Sequence, residues 1–236
     1  MAHRLLQIPL GISLRETASF DAFIARDNSQ ALTDIKNCAA GTGEQFLYLW
    51  GAPGVGKSHL LQAACRAAQR GANRVAYVPL SQVDEFSPEI LSGLGALDLV
   101  CLDDIQRAGG DAEWERGLFT LFNQLRDRGA PLIVAADAPP TRLPVRLADL
   151  RSRLEWGLCY QLHPLDDAGR VQLLTESAQR RGLSLAEGTA RYLLCHSTRD
   201  SASLLALLDR LDRASLAAQH KLTIPFVKTI LVQDGD

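Results

Sequence analysis

The chain has 236 residues, of which 47% are hydrophobic and 22% charged, and its formal net charge at pH 7 is −2. That much apolar residue can bury a core, which excludes a disordered chain. The slightly acidic balance, with no basic block, excludes a protein that grips nucleic acid tightly by phosphate neutralisation alone.

Residues 5–14 read LLQIPLGISL, an aliphatic stretch interrupted by Gln7, Pro9 and Gly11. No small-residue cleavage site follows it, so a signal peptide is not expected. No stretch in the chain approaches the ~20 apolar residues of a membrane span. Pro9 and Gly11 oppose a helix, so the segment reads as extended. It suits an edge strand, an arm packed on the sheet, or a peptide docking Leu10 and Ile12 into an apolar groove of a partner. Residues 15–27 read as an irregular arm carrying Phe20 and Phe23, and Asn28 or Ser29 is expected to cap a helix running to about Cys38.

GTGE at 41–44 predicts a turn, and FLYLW at 46–50 is a continuous apolar run before glycines, as in a buried parallel strand. A helix is predicted from Lys57 to about Arg70, stopped by Gly71. RVAYVP at 74–79 and LDLVCL at 97–102 read as strands. From Ala112 to Arg128, Trp114, Leu118, Leu121, Phe122 and Leu125 recur at helical spacing, and Gly129 ends that helix. PLIVAA at 131–136 and LCYQL at 158–162 complete five strands. Strands alternating with amphipathic helices predict an α/β domain with a parallel sheet covered on both faces. Beyond about Leu165 only helix-like runs follow, at 166–181, 186–196, 200–219 and 225–233, with Pro225 in the first turn of the last. The expected organisation is an N-terminal peptide, 1–14, an α/β nucleotide-binding domain, 15–164, and a small all-helical lid, 165–236. The five cysteines (Cys38, Cys65, Cys101, Cys159 and Cys195) show no C-x-x-C pair and are expected to be reduced, buried thiols of a cytoplasmic protein.

The chemistry begins at GAPGVGKS, 51–58, which fits G-x-x-x-x-G-K-[ST]. Gly51, Gly54 and Gly56 let the backbone turn its N–H groups toward phosphate oxygens, and the following helix adds its positive end. Lys57 supplies a cation for the β- and γ-phosphates, and Ser58 a hydroxyl for Mg2+. Pro53, Val55 and His59 complete the nucleotide-binding set. LVCLDD, 99–104, is the expected second half: Asp103 is the magnesium candidate, and Asp104 stands at the water-activating place, one methylene shorter than a glutamate. Taken alone, a DD pair reads as a solvated strand end; one strand and one helix after a phosphate loop it reads as functional. Asp137, which ends the fourth strand, suits either a γ-phosphate neighbour or a turn before Pro139 and Pro140.

DLRSRLEWG, 149–157, sets two arginines two residues apart before an apolar residue and Trp156. The order of these motifs resembles the AAA+ ATPases and, among them, the replication initiator DnaA. SFDAFI at 19–24 resembles the segment bordering the adenine pocket there, which places Phe20 in the nucleotide set. SRLEWGL resembles the arginine-finger box, which places Arg153 at a finger that acts on a neighbouring subunit's ATP. DnaA continues into a DNA-binding domain where this chain stops. YVPL, SRLEWG, LDRAS and KLTIPFVKTIL are similar to the DnaA-related Hda regulators over essentially the full chain. The lid arginine that touches nucleotide in this group falls here on Ala202, and Arg199, three residues earlier, is the candidate to stand in from a different angle.

This resemblance implies an AAA+ P-loop fold with a five-stranded parallel sheet and a helical lid. It implies an adaptor holding ADP, or ATP, with Mg2+, rather than a free-standing enzyme, with at most weak ATPase activity of its own. It implies as partners DnaA, the sliding clamp (the β subunit of the DNA polymerase) and further copies of the chain, with DNA touched only indirectly or weakly and no membrane. QIPLGI, 7–12, is similar to short bacterial clamp-binding peptides, with Gln7, Ile8, Leu10 and Ile12 as the contacts. Two other classes stay open: a DNA-remodelling initiator paralogue or helicase loader, and a small P-loop kinase.

Overall fold

The computed structural model describes Leu14, residues 17–197 and residues 200–232. Five strands form one parallel sheet: β1 (Phe46–Trp50), β2 (Val75–Pro79), β3 (Leu99–Asp103), β4 (Leu132–Ala136) and β5 (Leu158–Gln161), in the order β2-β3-β4-β1-β5. Position in the sheet explains composition. The inner strands β1, β3 and β4 are buried along nearly their whole length and read as unbroken apolar runs, whereas the edge strands β2 and β5 alternate in exposure.

The period of two divides the inner strands between two helical layers. Tyr48, Val100, Leu102 and Val134 face α3 (Ala112–Arg128) and α4 (Ala148–Leu154), packing on Trp114, Leu118, Phe122, Leu150 and Leu154. Phe46 and Phe122 meet edge to face, 4.8 Å between centroids. Leu47, Leu49, Cys101, Ile133 and Ala135 are buried on the opposite face. There α2 (Lys57–Arg70) lies along β2, β3 and β4, and α1 (Ser29–Ala39) lies against α2 and β1.

Several local expectations are corrected. Asn28 does precede α1, but its side chain caps nothing: it donates to the His163 carbonyl at 2.9 Å and accepts from the His163 N–H at 2.8 Å, tying the start of α1 to the chain beyond β5. Gly71 ends α2 as expected, at φ −84 rather than in the left-handed region, which Ala72 takes instead. Cys38, Cys65 and Cys101 are buried, and burial pushes the Cys38 thiol up to about 12, but Cys159 and Cys195 are exposed. Cys159 lies on the edge strand β5, where alternate residues face outward. Helix α4 carries no helical-period signal strong enough to predict it, and residues 80–96 form three 3₁₀ turns.

Gly157 joins α4 to β5 with φ +73, and a Cβ there would fall inside contact distance of the Phe46 carbonyl oxygen. Left-handed strain and a backbone collision act together, so Gly157→Ala should destabilise the fold by about 2–4 kcal/mol. A urea midpoint within error of the wild type would show that this turn yields freely.

The chain divides into two compact units, one built on Asp27–His163 with the segment ending at Phe20, the other running from Pro164 and including Asp21–Arg26. The second unit contains α5 (Asp167–Arg180), α6 (Glu187–Cys195), α7 (Ser201–Ala218) and α8 (Ile224–Val232) around Val171, Leu174, Leu193, Leu204, Leu208, Leu211 and Val227. Asp166 caps α5 by accepting from Gly169 N–H at 2.7 Å, and the same carboxylate takes both 3.1 Å bonds from Arg26. Asp200 caps α7 through Ser203 N–H at 2.8 Å. One parallel β-bridge, Leu185 with Leu222, joins the loops ahead of α6 and α8, where the sequence showed helices alone.

Candidate functional site

Strand β1 delivers the chain into residues 51–56, whose glycines all take positive φ: Gly51 at 154°, Gly54 at 81° and Gly56 at 101°. Gly51 is also pressed against β5's end, since a Cβ would lie 2.7 Å from the Leu162 carbonyl oxygen. Gly56 stands immediately before α2, whose N-terminus has no side-chain cap, so its first amides are available to an anion. Pro53 and Gly54 are exposed and Val55 half-buried.

Lys57 is only 8% exposed. Its ammonium folds under the loop and donates to the carbonyls of Gly51 at 2.6 Å and Ala52 at 3.1 Å. Burial lowers its pKa, and the carboxylates of Asp103, Asp104 and Asp137 act in the opposite direction. The residues picked from separate stretches of sequence therefore share one electrostatic site at the C-terminal ends of β1, β3 and β4.

Asp103 closes β3 and is 2% exposed. It accepts the Tyr77 hydroxyl at 2.8 Å, the Asp104 N–H at 3.1 Å and the Ser58 hydroxyl. Burial raises its pKa and the neighbouring Asp104 adds to this, while the bonds from Ser58 and Tyr77 oppose it. A hydroxyl and a carboxylate held together suit Mg2+, which binds few protein oxygens and takes the rest of its shell from phosphate and water. Among the described residues no group of three or more His, Cys, Asp or Glu could hold a metal ion unaided, so such an ion would depend on the nucleotide.

Asp104 turns the backbone through φ 55 into the 3₁₀ turn Ile105–Ala108, and its carboxylate accepts from Gln106 Nε2 at 3.2 Å. Asp137 is exposed just past β4, in a turn steadied by the Tyr48 hydroxyl donating to Ala138 O at 2.8 Å. His59, in the first turn of α2, meets the Ser19 carbonyl at 2.8 Å, which lays the arm against the phosphate-loop helix. Phe20 follows, its ring 5.7 Å from the Lys36 ammonium of α1.

The two arginines of α4 part company. Arg151 folds back and donates to the Val145 carbonyl. Arg153 instead stacks on Trp156, its guanidinium carbon 4.1 Å from the ring centroid, with Arg126 of α3 at 5.9 Å from the same ring. Trp156 is 46% exposed, so this cation–π arrangement stands at the surface.

Ala202 is exposed in the first turn of α7. Arg199, Gln7, Ile8, Leu10 and Ile12 lie outside the described residues. Sequence reasoning missed Tyr77 and Gln62, which hydrogen-bond to each other and hold Asp103 from β2 and α2. A tyrosine on the strand next to an aspartate-ended strand was the available signal. Among the described residues no helix is long and apolar enough to cross a membrane.

Two family models match the chain: the bacterial DnaA ATPase domain over residues 14–161 and the Hda lid domain over residues 167–231. Among solved structures, a replication initiator DnaA bound to AMPPCP and single-stranded DNA is 25% identical over 85% of this chain, with a TM-score of 0.71. This chain spans 66% of that protein's length. Domain III of DnaA from Thermotoga maritima is 22% identical, with 94% of this chain and 98% of that one covered and a TM-score of 0.79. The RuvB Holliday junction branch migration motor of Thermotoga maritima, 16% identical over 90% of this chain and 70% of its own, has a TM-score of 0.68. The last two show the shared AAA+ fold.

Proposed function

Since the chain belongs to the bacterial DnaA ATPase-domain family and carries an Hda-type lid, we propose that it is a nucleotide-bound adaptor that stimulates ATP hydrolysis by DnaA. In this reading it works on a DNA-loaded sliding clamp, delivers Arg153 to the nucleotide of its partner, and so prevents renewed initiation of replication.

The observation that carries the reading is the pairing of a complete phosphate-loop network with an arginine stacked at the surface. Lys57, Ser58 and Asp103 are tied into one site, while Arg153 rests on the Trp156 ring at 4.1 Å. Gly51, Gly54 and Gly56 shape the loop, Lys57 binds the phosphates, and Ser58 and Asp103 would hold Mg2+, which when bound offsets phosphate charge. Phe20 and His59 set the arm beside the loop. Asp104, short and engaged by Gln106, favours a nucleotide that shapes the chain over one that it turns over, and ADP fits that role. A finger needs a second molecule, either DnaA or another copy of this chain. The arginine then stabilises the charge that develops on the transferring phosphoryl group.

The clamp assignment rests on QIPLGI at 7–12. With DnaA, ATP, clamp and DNA mixed, the chain should accelerate hydrolysis of DnaA-bound ATP. Gln7→Ala with Leu10→Ala should abolish clamp binding and this acceleration while leaving nucleotide affinity within twofold of wild type, about 0.4 kcal/mol. No acceleration by the wild-type chain overturns the adaptor reading. Tight, salt-dependent binding of the chain alone to single-stranded DNA would instead support a remodelling initiator paralogue.

A further inference from the structure

Glu115, on the first turn of α3, is 2% exposed, which matches Asp103 as the deepest burial of an acidic residue among the described residues. Its carboxylate accepts the N–H of Gly110 at 2.7 Å on Oε1, that of Arg146 at 2.9 Å on Oε1 and 3.1 Å on Oε2, and that of Leu147 at 2.7 Å on Oε2. An acceptor-only group with several lone pairs suits this convergence of donors. Burial alone would raise its pKa, but the N–H bonds from Arg146, Gly110 and Leu147 and the Arg146 charge hold it below the usual carboxylate range.

The donors come from two places that matter to the site. Gly110 ends the turn that begins at Asp104, and Gly109 beside it packs so closely on Pro144 that a Cβ would lie 2.8 Å from that ring. Leu147 is the residue immediately before α4, and α4 carries Arg153. Arg151 closes the same corner by donating back to Val145 O. Helix α4 has seven residues and no side-chain cap, so its placement depends on these long-range bonds.

We infer that Glu115 is a positioning residue for Arg153: its carboxylate fixes the start of α4 against the turn that follows Asp104, and so sets where the arginine is presented and joins it to the chain's own nucleotide site. The inference rests on the finger reading above. Misplacement of a reacting group by about 1 Å can cost on the order of 10²-fold in rate.

The test uses the full chain with Glu115→Gln, a neutral isostere, and Leu147→Pro, which deletes the Leu147 N–H donor where φ is −70 and proline fits, and trades a partly buried leucine on the core for the smaller ring. At saturating chain and saturating nucleotide, each variant should lower the maximal stimulated hydrolysis by DnaA by about 10–10²-fold, with unchanged half-saturating concentration. Glu115→Gln combined with Arg153→Ala should be no worse than Arg153→Ala alone. In hydrogen exchange, nucleotide should slow both residues 105–110 and 148–154 in the wild type, but only 105–110 in Glu115→Gln. Should Glu115→Gln fail to fold, Leu147→Pro carries the same readouts. A wild-type maximal rate in the variants, losses that add to Arg153→Ala, or an α4 still slowed by nucleotide in the variants overturns the inference while leaving the finger intact. If Arg153→Ala itself stimulates fully, the finger reading fails, and the exchange result then decides whether Glu115 still joins the two segments.

Discussion

Arg153→Ala should reduce stimulated hydrolysis of DnaA-bound ATP by about 10³-fold or more, since a finger supplied in trans is worth ~10³–10⁵ in rate. The side chain has little structural work that would confuse the result. It is half-buried, and its described partner is the half-exposed Trp156 ring. An exposed cation–π contact is worth only about 0.5–1 kcal/mol, so the thermal midpoint should hardly move. Arg153→Lys should recover little, because an ammonium lacks the planar fork that spans phosphate oxygens and lies flat on indole. Arg151→Ala is the contrast. Its guanidinium bonds the Val145 carbonyl, so its removal should lower stability by about 1 kcal/mol. The measurement is the single-turnover rate of DnaA-bound ATP at saturating chain. Full stimulation by Arg153→Ala would remove the finger assignment.

What was readable in the sequence follows from where the stabilising interactions come from. The inner strands announced themselves because both their faces are buried, which confines a charged residue to the strand end, as with Asp103. Helix α3 was legible because Trp114, Leu118, Leu121, Phe122 and Leu125 all point to one core. The phosphate loop was legible because its geometry is local, made by glycines at positive φ within a few residues. Helix α4 was not, since only Leu150 and Leu154 are buried and its start is set by a carboxylate some thirty positions away in the chain. Tyr77 reaches Asp103 from a neighbouring strand, and no spacing rule joins them. Asn28 shows the same competition in reverse. It had the right chemistry for a cap at the right place, and a pair of bonds to the His163 backbone took its side chain instead. Local rules found the loop that binds phosphate; the residues that hold that loop and the finger in register came from tertiary structure.

Lys57→Ala should weaken ADP and ATP binding by about 10²–10³-fold. Losing one partner of a desolvated charge pair costs about 2–5 kcal/mol, and each 1.4 kcal/mol is tenfold in affinity. The fold should survive the change. The ammonium is buried at a cost, shown by a pKa lowered by burial against the pull of Asp103, Asp104 and Asp137. Its bonds go to the carbonyl of Gly51, which is buried, and to that of Ala52, which is exposed. Removing the charge takes away attraction for phosphate and relieves a desolvation penalty, but it leaves the buried Gly51 carbonyl without this donor, so the unfolding free energy from urea titration should fall by no more than about 1–3 kcal/mol. Calorimetric titration with each nucleotide gives the affinity, and a dissociation constant within threefold of wild type would sink the phosphate-loop assignment. The same variant separates two roles for the nucleotide. If the bound nucleotide shapes the chain, Lys57→Ala should lose stimulation of DnaA at working nucleotide concentrations and regain it when nucleotide is raised in proportion to the weakened affinity. If stimulation persists with the site empty, Arg153 acts without help from the loop, and Glu115 then holds a finger whose placement does not depend on what Lys57 binds.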